Sequence, residues 1–197
     1  MTSKFITLPA AIAVYPALHQ PDTKFDELGQ WKADVKLPLA EAKPYMDMIE
    51  AIHKEHTGKA VPKDTNLWKP ELDEDGKETG NIIFIIRVKN KLKKDGKMWE
   101  RRPTVIDAKK QKMSRDIKVG GGSKLRVQFE PYCWKAGVKV GVSLQPTIVQ
   151  VIDLVTWGDG AMSDFDEVDD GFVDDTTGPT ESDFEVEQTK VDEGADY

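Results

Sequence analysis

The hydrophobic pattern of this chain changes period several times, and each change marks an element. Residues 30–37, QWKADVKL, alternate with period two. Trp31, Ala33, Val35 and Leu37 fall on one face; Gln30, Lys32, Asp34 and Lys36 fall on the other. That is the pattern of a half-buried strand. Helical spacing follows, with Tyr45, Met48, Ile49 and Ile52 at i, i+3, i+4 and i+7. Pro44 suits a first helical turn and Gly58 a C-terminal stop, which predicts one amphipathic helix at about residues 41–56.

Residues 5–15 read as extended structure interrupted by Pro9, and residues 16–29 as a loop punctuated by Pro16, Pro21, Asp22 and Gly29. Residues 57–80 are polar apart from Trp68 and read as a long loop. IIFIIRVK (82–89) is a strongly apolar strand, and Asp95-Gly96 signals a hairpin turn before a second arm at 98–107. Residues 108–122 are basic and end in Gly120-Gly121-Gly122, which reads as a flexible connection. Alternation returns at 123–134, with Leu125, Val127 and Phe129 inward and Lys124, Arg126 and Gln128 outward. It continues at 138–145, after a turn at Ala136-Gly137, and TIVQVIDLVTW closes the ordered part. Six or seven strands and one helix predict a mainly β barrel or sandwich.

After Gly158 the periodicity stops. Residues 158–197 hold fifteen Asp/Glu and one basic residue, Lys190, with isolated Phe165, Phe172, Val173, Phe184 and Val186. Such a composition cannot offset the entropy of ordering, so a domain at 1–157 and a disordered acidic tail at 158–197 are expected. The net charge of −7 therefore hides two opposed parts. Residues 81–157 carry 17 Lys/Arg against 6 Asp/Glu. A basic body with an acidic tail points to a polyanion partner. Among small β-barrels this charge favours an OB-fold-like Greek-key barrel with one packed helix.

Single-stranded nucleic acid is held by cations for its phosphates and by rings for its bases. Both residue types are interleaved here. Arg87, Lys89 and Lys91 lead into Lys93, Lys94 and Lys97 of the predicted hairpin; Trp99, Arg101 and Arg102 follow, then Lys109, Lys110, Lys112, Arg115 and Lys118. Tyr132 and Trp134 are in phase with the outward Lys124 and Arg126, an unusual place for aromatic rings. Trp31 is carried as a further stacking candidate, although it aligns with the core residues Val35 and Leu37; Trp99 fits either face. A lysine-rich hairpin is otherwise a solvated edge that blocks sheet-to-sheet pairing.

Enzymatic signals are weak. His53 and His56 are three apart on the predicted helix, but no cysteine or carboxylate cluster completes a metal site, and helix histidines at that spacing are more often surface residues. GGGSK at 120–124 lacks phosphate-loop order and precedes a strand. A nuclease would need a carboxylate cluster, which Asp107 and Asp116 alone do not make. No catalytic residue, metal or cofactor is called for. Nothing approaches a membrane span or a secretory signal, and the single Cys133 fits a reducing cytoplasm.

YPALHQPDTKFDELGQWKADVKLPL (15–39), GGGSKLRVQFEPYCW (120–134) and the acidic tail closing on Tyr197 together resemble the single-stranded DNA-binding proteins of T-odd-type, short-tailed bacteriophages. The resemblance implies an OB-fold, work in replication, recombination and strand annealing, and the cytoplasm of an infected bacterium. It also implies docking of DNA polymerase and helicase-primase by the tail end, here Asp196 and Tyr197, while the tail competes with DNA. The coliphage relatives end in phenylalanine, so the tyrosine hydroxyl is a departure. A homodimer stays open. The competing reading is an acidic-tailed, chaperone-like barrel that binds basic proteins and ignores DNA.

Overall fold

The computed structural model describes residues 5–62 and 64–156. The predicted tail and the boundary at 157–158 lie outside the described residues. The elements run β1 (Ile6–Thr7), β2 (Ala11–Ala13), β3 (Ala17–Asp22), β4 (Gln30–Lys32), β5 (Val35–Pro38), α1 (Leu39–Thr57), β6 (Trp68–Leu72), β7 (Glu78–Phe84), β8 (Arg87–Lys89), β9 (Lys91–Leu92), β10 (Met98–Trp99), β11 (Thr104–Ile106), β12 (Lys124–Ala136) and β13 (Lys139–Asp153). The main sheet has the order β11-β13-β12-β2-β5-β7-β6, with β1 also on β12. A second sheet, β3-β4-β8, and the separate ribbon β9-β10 complete the set.

The single strand expected at 30–37 is two strands, one in each sheet. Alternation survives the break, because Trp31, Ala33, Val35 and Leu37 are all buried. Asp34, expected on the solvent side, is buried instead. Its carboxylate accepts the Ile86 N–H at 3.0 Å and the Arg87 Nε–H at 2.9 Å. Those bonds satisfy the backbone where the ladder is interrupted. Burial pushes the Asp34 carboxyl up, against the pull of the Arg87 guanidinium. β2 bends into β3 around Tyr15, and β7 into β8 before Arg87, so three neighbouring strands change sheet together. The Ile86–Leu144 parallel bridge then joins the third strand to β13 and closes an OB-type barrel. Phe84, Phe129, Leu125, Val127, Leu144 and Val149 fill it.

The helix is longer than expected by a turn's fraction at its start, which moves Pro44 into the second turn. Gly58 ends it as predicted, in the left-handed conformation (φ 72°), with its N–H on the Lys54 carbonyl at 2.8 Å. The buried face is Ala42, Ile49, Ile52 and His53; Met48, expected on the stripe, is exposed. His53 is not a surface residue. Its Nδ1 lies 3.1 Å from the Lys59 carbonyl, while His56 is exposed, so the two do not face one site.

Three loops of the sequence reading are ordered. Residues 17–22 form β3, which the prolines conceal. Residues 68–84 form a hairpin, β6-β7, whose turn is tied by Asp73 Oδ1 accepting the Lys77 N–H at 2.8 Å. Trp68 packs edge-on against Phe84, ring centroids 6.1 Å apart. The triple glycine is a packing device, not a flexible joint. Gly120 N–H donates to the Val155 carbonyl at 2.7 Å, and a Cβ there would sit 2.8 Å from that same oxygen.

Glu71 on β6 accepts from Lys36 (2.6 Å), Thr79 (2.7 Å) and Asn81 (2.8 Å), which together hold its pKa at about 2 instead of the usual 4.5. A depressed carboxyl stabilises the fold above its unfolded pKa and loses that contribution as pH falls through the folded one. Denaturant midpoints are therefore expected to fall between pH 4.5 and about 2, and Glu71→Gln to flatten that fall. Equal slopes in both proteins would refute the assignment.

Candidate nucleic-acid interface

β12 and β13 form a long hairpin, turning at Gly137. Beyond Phe129 its outer face carries Tyr132 and Trp134, opposite Ser143 and Gly141. Both rings are well exposed, at 45% and 39%. The small partners explain why. A Cβ on Gly141 would lie 2.3 Å from Trp134 Cζ2, so only glycine lets the indole lie flat across β13. Ser143 Oγ accepts from Gln145 Nε2 at 3.3 Å, and Gln145 Oε1 accepts from Arg101 at 2.5 Å. The Arg101 guanidinium also stands 5.3 Å from the Trp99 ring, itself 50% exposed. A continuous track thus runs from Trp99 through Arg101, Gln145 and Ser143 to Tyr132 and Trp134. It offers rings at both ends and a cation between them.

Asn90 positions one end of that track. It is buried, and its Oδ1 accepts both the Trp31 Nε1–H and the Arg101 N–H, each at 2.9 Å. Its Nδ2 donates to the Leu28 carbonyl at 2.8 Å. Trp31 has no exposed surface, so the structure corrects its candidacy: no base can reach the ring. The indole is enclosed because β4 directs it inward, and its N–H has found a buried acceptor in Asn90.

Arg102, Lys112 and Arg115 line one small concavity with Pro103, Thr104, Val105 and Met113. Arg102 donates Nε–H to the Leu18 carbonyl at 2.7 Å and lies 5.8 Å from the Trp31 ring. Burial, with a smaller contribution from Arg115, pulls its pKa down from the ordinary arginine value. Arg115 is ion-paired with Glu100. A phosphate placed in this concavity would offset the repulsion between Arg102 and Arg115.

Lys109 and Lys110 sit in the turn at 107–111. Gln150 on β13 donates to the Asp107 and Ala108 carbonyls, both at 3.3 Å, which sets that turn beside Arg126, the cross-strand partner of Gln150. Lys124 is next along on the same outer face, opposite Asp153. This group lies roughly 17 Å along β13 from Gln145, at about 3.3 Å per residue. Arg87 and Lys89 each have a carboxylate partner. Arg87 is committed to buried Asp34, and Lys89 pairs with Asp26 at 2.9 Å. Lys91 is exposed on the β9-β10 ribbon. Asp196 and Tyr197 lie outside the described residues.

Asn90, Gln145, Ser143 and Gly141 escaped the sequence reading. Asn90 stands between two lysines, and nothing local marks it as buried. Gln145 and Ser143 sit at the outward phase of an alternating strand, which was the one signal available for them. Tyr15 and Phe25 are also strongly exposed, and Lys24 Nζ stands 5.4 Å from the Phe25 ring. Among the described residues no group of three or more His, Cys, Asp or Glu is disposed to hold a metal. No helix among them is long and apolar enough to cross a membrane.

Residues 10–154 match the family described as single-stranded DNA-binding protein, bacteriophage T7. The single-stranded DNA-binding protein of Enterobacteria phage T3 is 40% identical over 70 residues, 34% of this chain and 30% of that protein. That of Escherichia phage T7 is 40% identical over 72 residues, 35% of this chain and 31% of that protein. The matched segment spans about a third of the length of these curated relatives. The fold is similar to the crystal structure of the single-stranded DNA-binding protein encoded by bacteriophage T7, with a TM-score of 0.59 at 24% identity, covering 88% of this chain and 100% of that one. It is also similar to the bacteriophage Enc34 single-stranded DNA-binding protein in complex with single-stranded DNA, with a TM-score of 0.56 at 17% identity, covering 76% and 86%. The family match covers most of the chain, and the chain belongs to the bacteriophage T7 single-stranded DNA-binding protein family.

Proposed function

We propose that this chain binds single-stranded DNA without sequence preference and without catalysis, in phage DNA replication, recombination and repair within the infected bacterium. The observation that carries the reading is the exposed track from Trp99 through Arg101 to Tyr132 and Trp134. Rings that present a face to solvent stack on any base, and the cation between them takes the backbone. The groups Arg102–Lys112–Arg115 and Lys109–Lys110–Lys124–Arg126 supply further phosphate contacts, as does Lys91 on the β9-β10 ribbon; Arg87 and Lys89 act mainly by holding the barrel wall. The acidic segment 158–197 competes with DNA for these cations, and its end, Asp196 and Tyr197, docks DNA polymerase and helicase-primase. Family membership supports this reading, and assembly as a homodimer is compatible with it.

The test is a tryptophan-fluorescence titration with single-stranded and duplex DNA at two salt concentrations, on the full chain and on a chain ending at residue 157. Expected are quenching, preference for the single strand, a steep salt slope, and tighter binding by the shorter chain. Absence of binding at low salt would overturn the reading. Unchanged affinity in the shorter chain would overturn tail competition alone.

A further inference from the structure

Residues 91–100 form a ribbon that the barrel does not support. Its strands β9 and β10 are two residues each, paired Leu92 to Met98 and Lys91 to Trp99. Every residue from 91 to 100 is exposed. Directly paired residues share a face, so Leu92 and Met98 form one apolar patch, 58% and 56% exposed among the described residues. Lys91, Lys93, Lys97 and Trp99 project from the other face. A lone two-stranded hairpin is marginal in water. Its base, by contrast, is pinned. Asn90, at the start of the ribbon, binds the Gly29 carbonyl through its N–H (3.0 Å) and receives the Arg101 N–H, at the end, on its side chain (2.9 Å). A fixed base under a loose, apolar-faced and basic ribbon is the construction of a strap.

We propose that the 91–100 ribbon closes over bound single-stranded DNA, with Leu92 and Met98 packing on base faces and Lys94, in the turn at its tip, meeting a phosphate. The inference rests on the single-stranded DNA reading above. Charge favours this occupant over a protein. The ribbon holds four lysines against Asp95 and Glu100; the Asp95 carboxylate is spent on the Lys97 N–H (3.1 Å) in the turn, and Glu100 pairs with Arg115. Unpaired bases suit the apolar pair, because a duplex hides base faces in its stack. Arg101 touches both Trp99 at the ribbon's foot and Gln145 on β13, so the ribbon is anchored beside the ring track.

Hydrogen exchange of the full chain, with and without an oligothymidine, reads the strap without any mutation. Amides at 91–100 are expected to exchange fast in the free protein and to gain protection with the oligonucleotide, but not with blunt duplex. The variant Leu92→Ser/Met98→Ser, both exposed positions, is expected to dissociate roughly tenfold faster with little change in association rate. Binding with unchanged exchange at 91–100 and an unchanged dissociation rate would overturn the strap and leave the DNA-binding reading intact. Equal protection by duplex would overturn the choice of occupant. Failure of the full chain to bind the oligonucleotide at all would overturn both readings.

Discussion

Replacing Tyr132 or Trp134 by alanine is expected to weaken single-stranded DNA binding by about 5- to 150-fold for each ring, the range that follows from ~1–3 kcal/mol per stacked base. Neither ring belongs to the core, so denaturation midpoints should stay close to those of the parent. Gly141→Ala supplies an independent probe of the same site. Its new methyl group would lie 2.3 Å from the Trp134 ring and must push the indole off β13. Affinity should fall most of the way to that of Trp134→Ala, although no ring has been removed. Titration of the three variants with one oligonucleotide at fixed salt checks this. Parent-like affinity in Tyr132→Ala/Trp134→Ala would remove the rings from the site and leave binding to the cations alone.

Trp31→Ala should instead be a stability variant. The ring is wholly buried, and removal of such an aromatic costs ~3–5 kcal/mol, a large part of the ~5–15 kcal/mol that holds a domain together. The change also strips Asn90 Oδ1 of one of its two donors, beside the residue that carries Arg101. Urea unfolding should show a much lower midpoint. Trp31→Phe should fall between the two, since it keeps most of the packing and loses the indole N–H. An unshifted midpoint combined with lost DNA binding would mean that Trp31 is a stacking ring after all.

Much of the fold was legible along the chain. Strand and helix periods located β4-β5, α1, β12 and β13, and the apolar run at 82–89 located the end of β7 together with β8, because apolar side chains one period apart must share the core whatever the topology. Gly58, Asp95-Gly96 and Ala136-Gly137 marked their turns, since backbone conformation there depends on the few residues involved. β3 and β6 were missed for the complementary reason. Their prolines and charges imitate loops, and each strand exists because a neighbour, β4 or β7, supplies its ladder.

By itself the sequence determined the chemistry available: a strongly basic stretch, rings out of phase with the core, and an acidic end. Those properties follow from residue identity and local period. Only the tertiary structure decided which of these residues meet. Trp31 and Tyr132 are both aromatics on alternating strands, yet one is enclosed against Asn90 and the other faces solvent over Ser143. Arg87 and Arg101 have the same guanidinium, yet Arg87 is drawn to a carboxylate buried at a strand break, while Arg101 is set by Asn90 and Gln145 between two exposed rings. Burial and partner choice depend on residues tens of positions away in the chain, brought together only when the barrel closes.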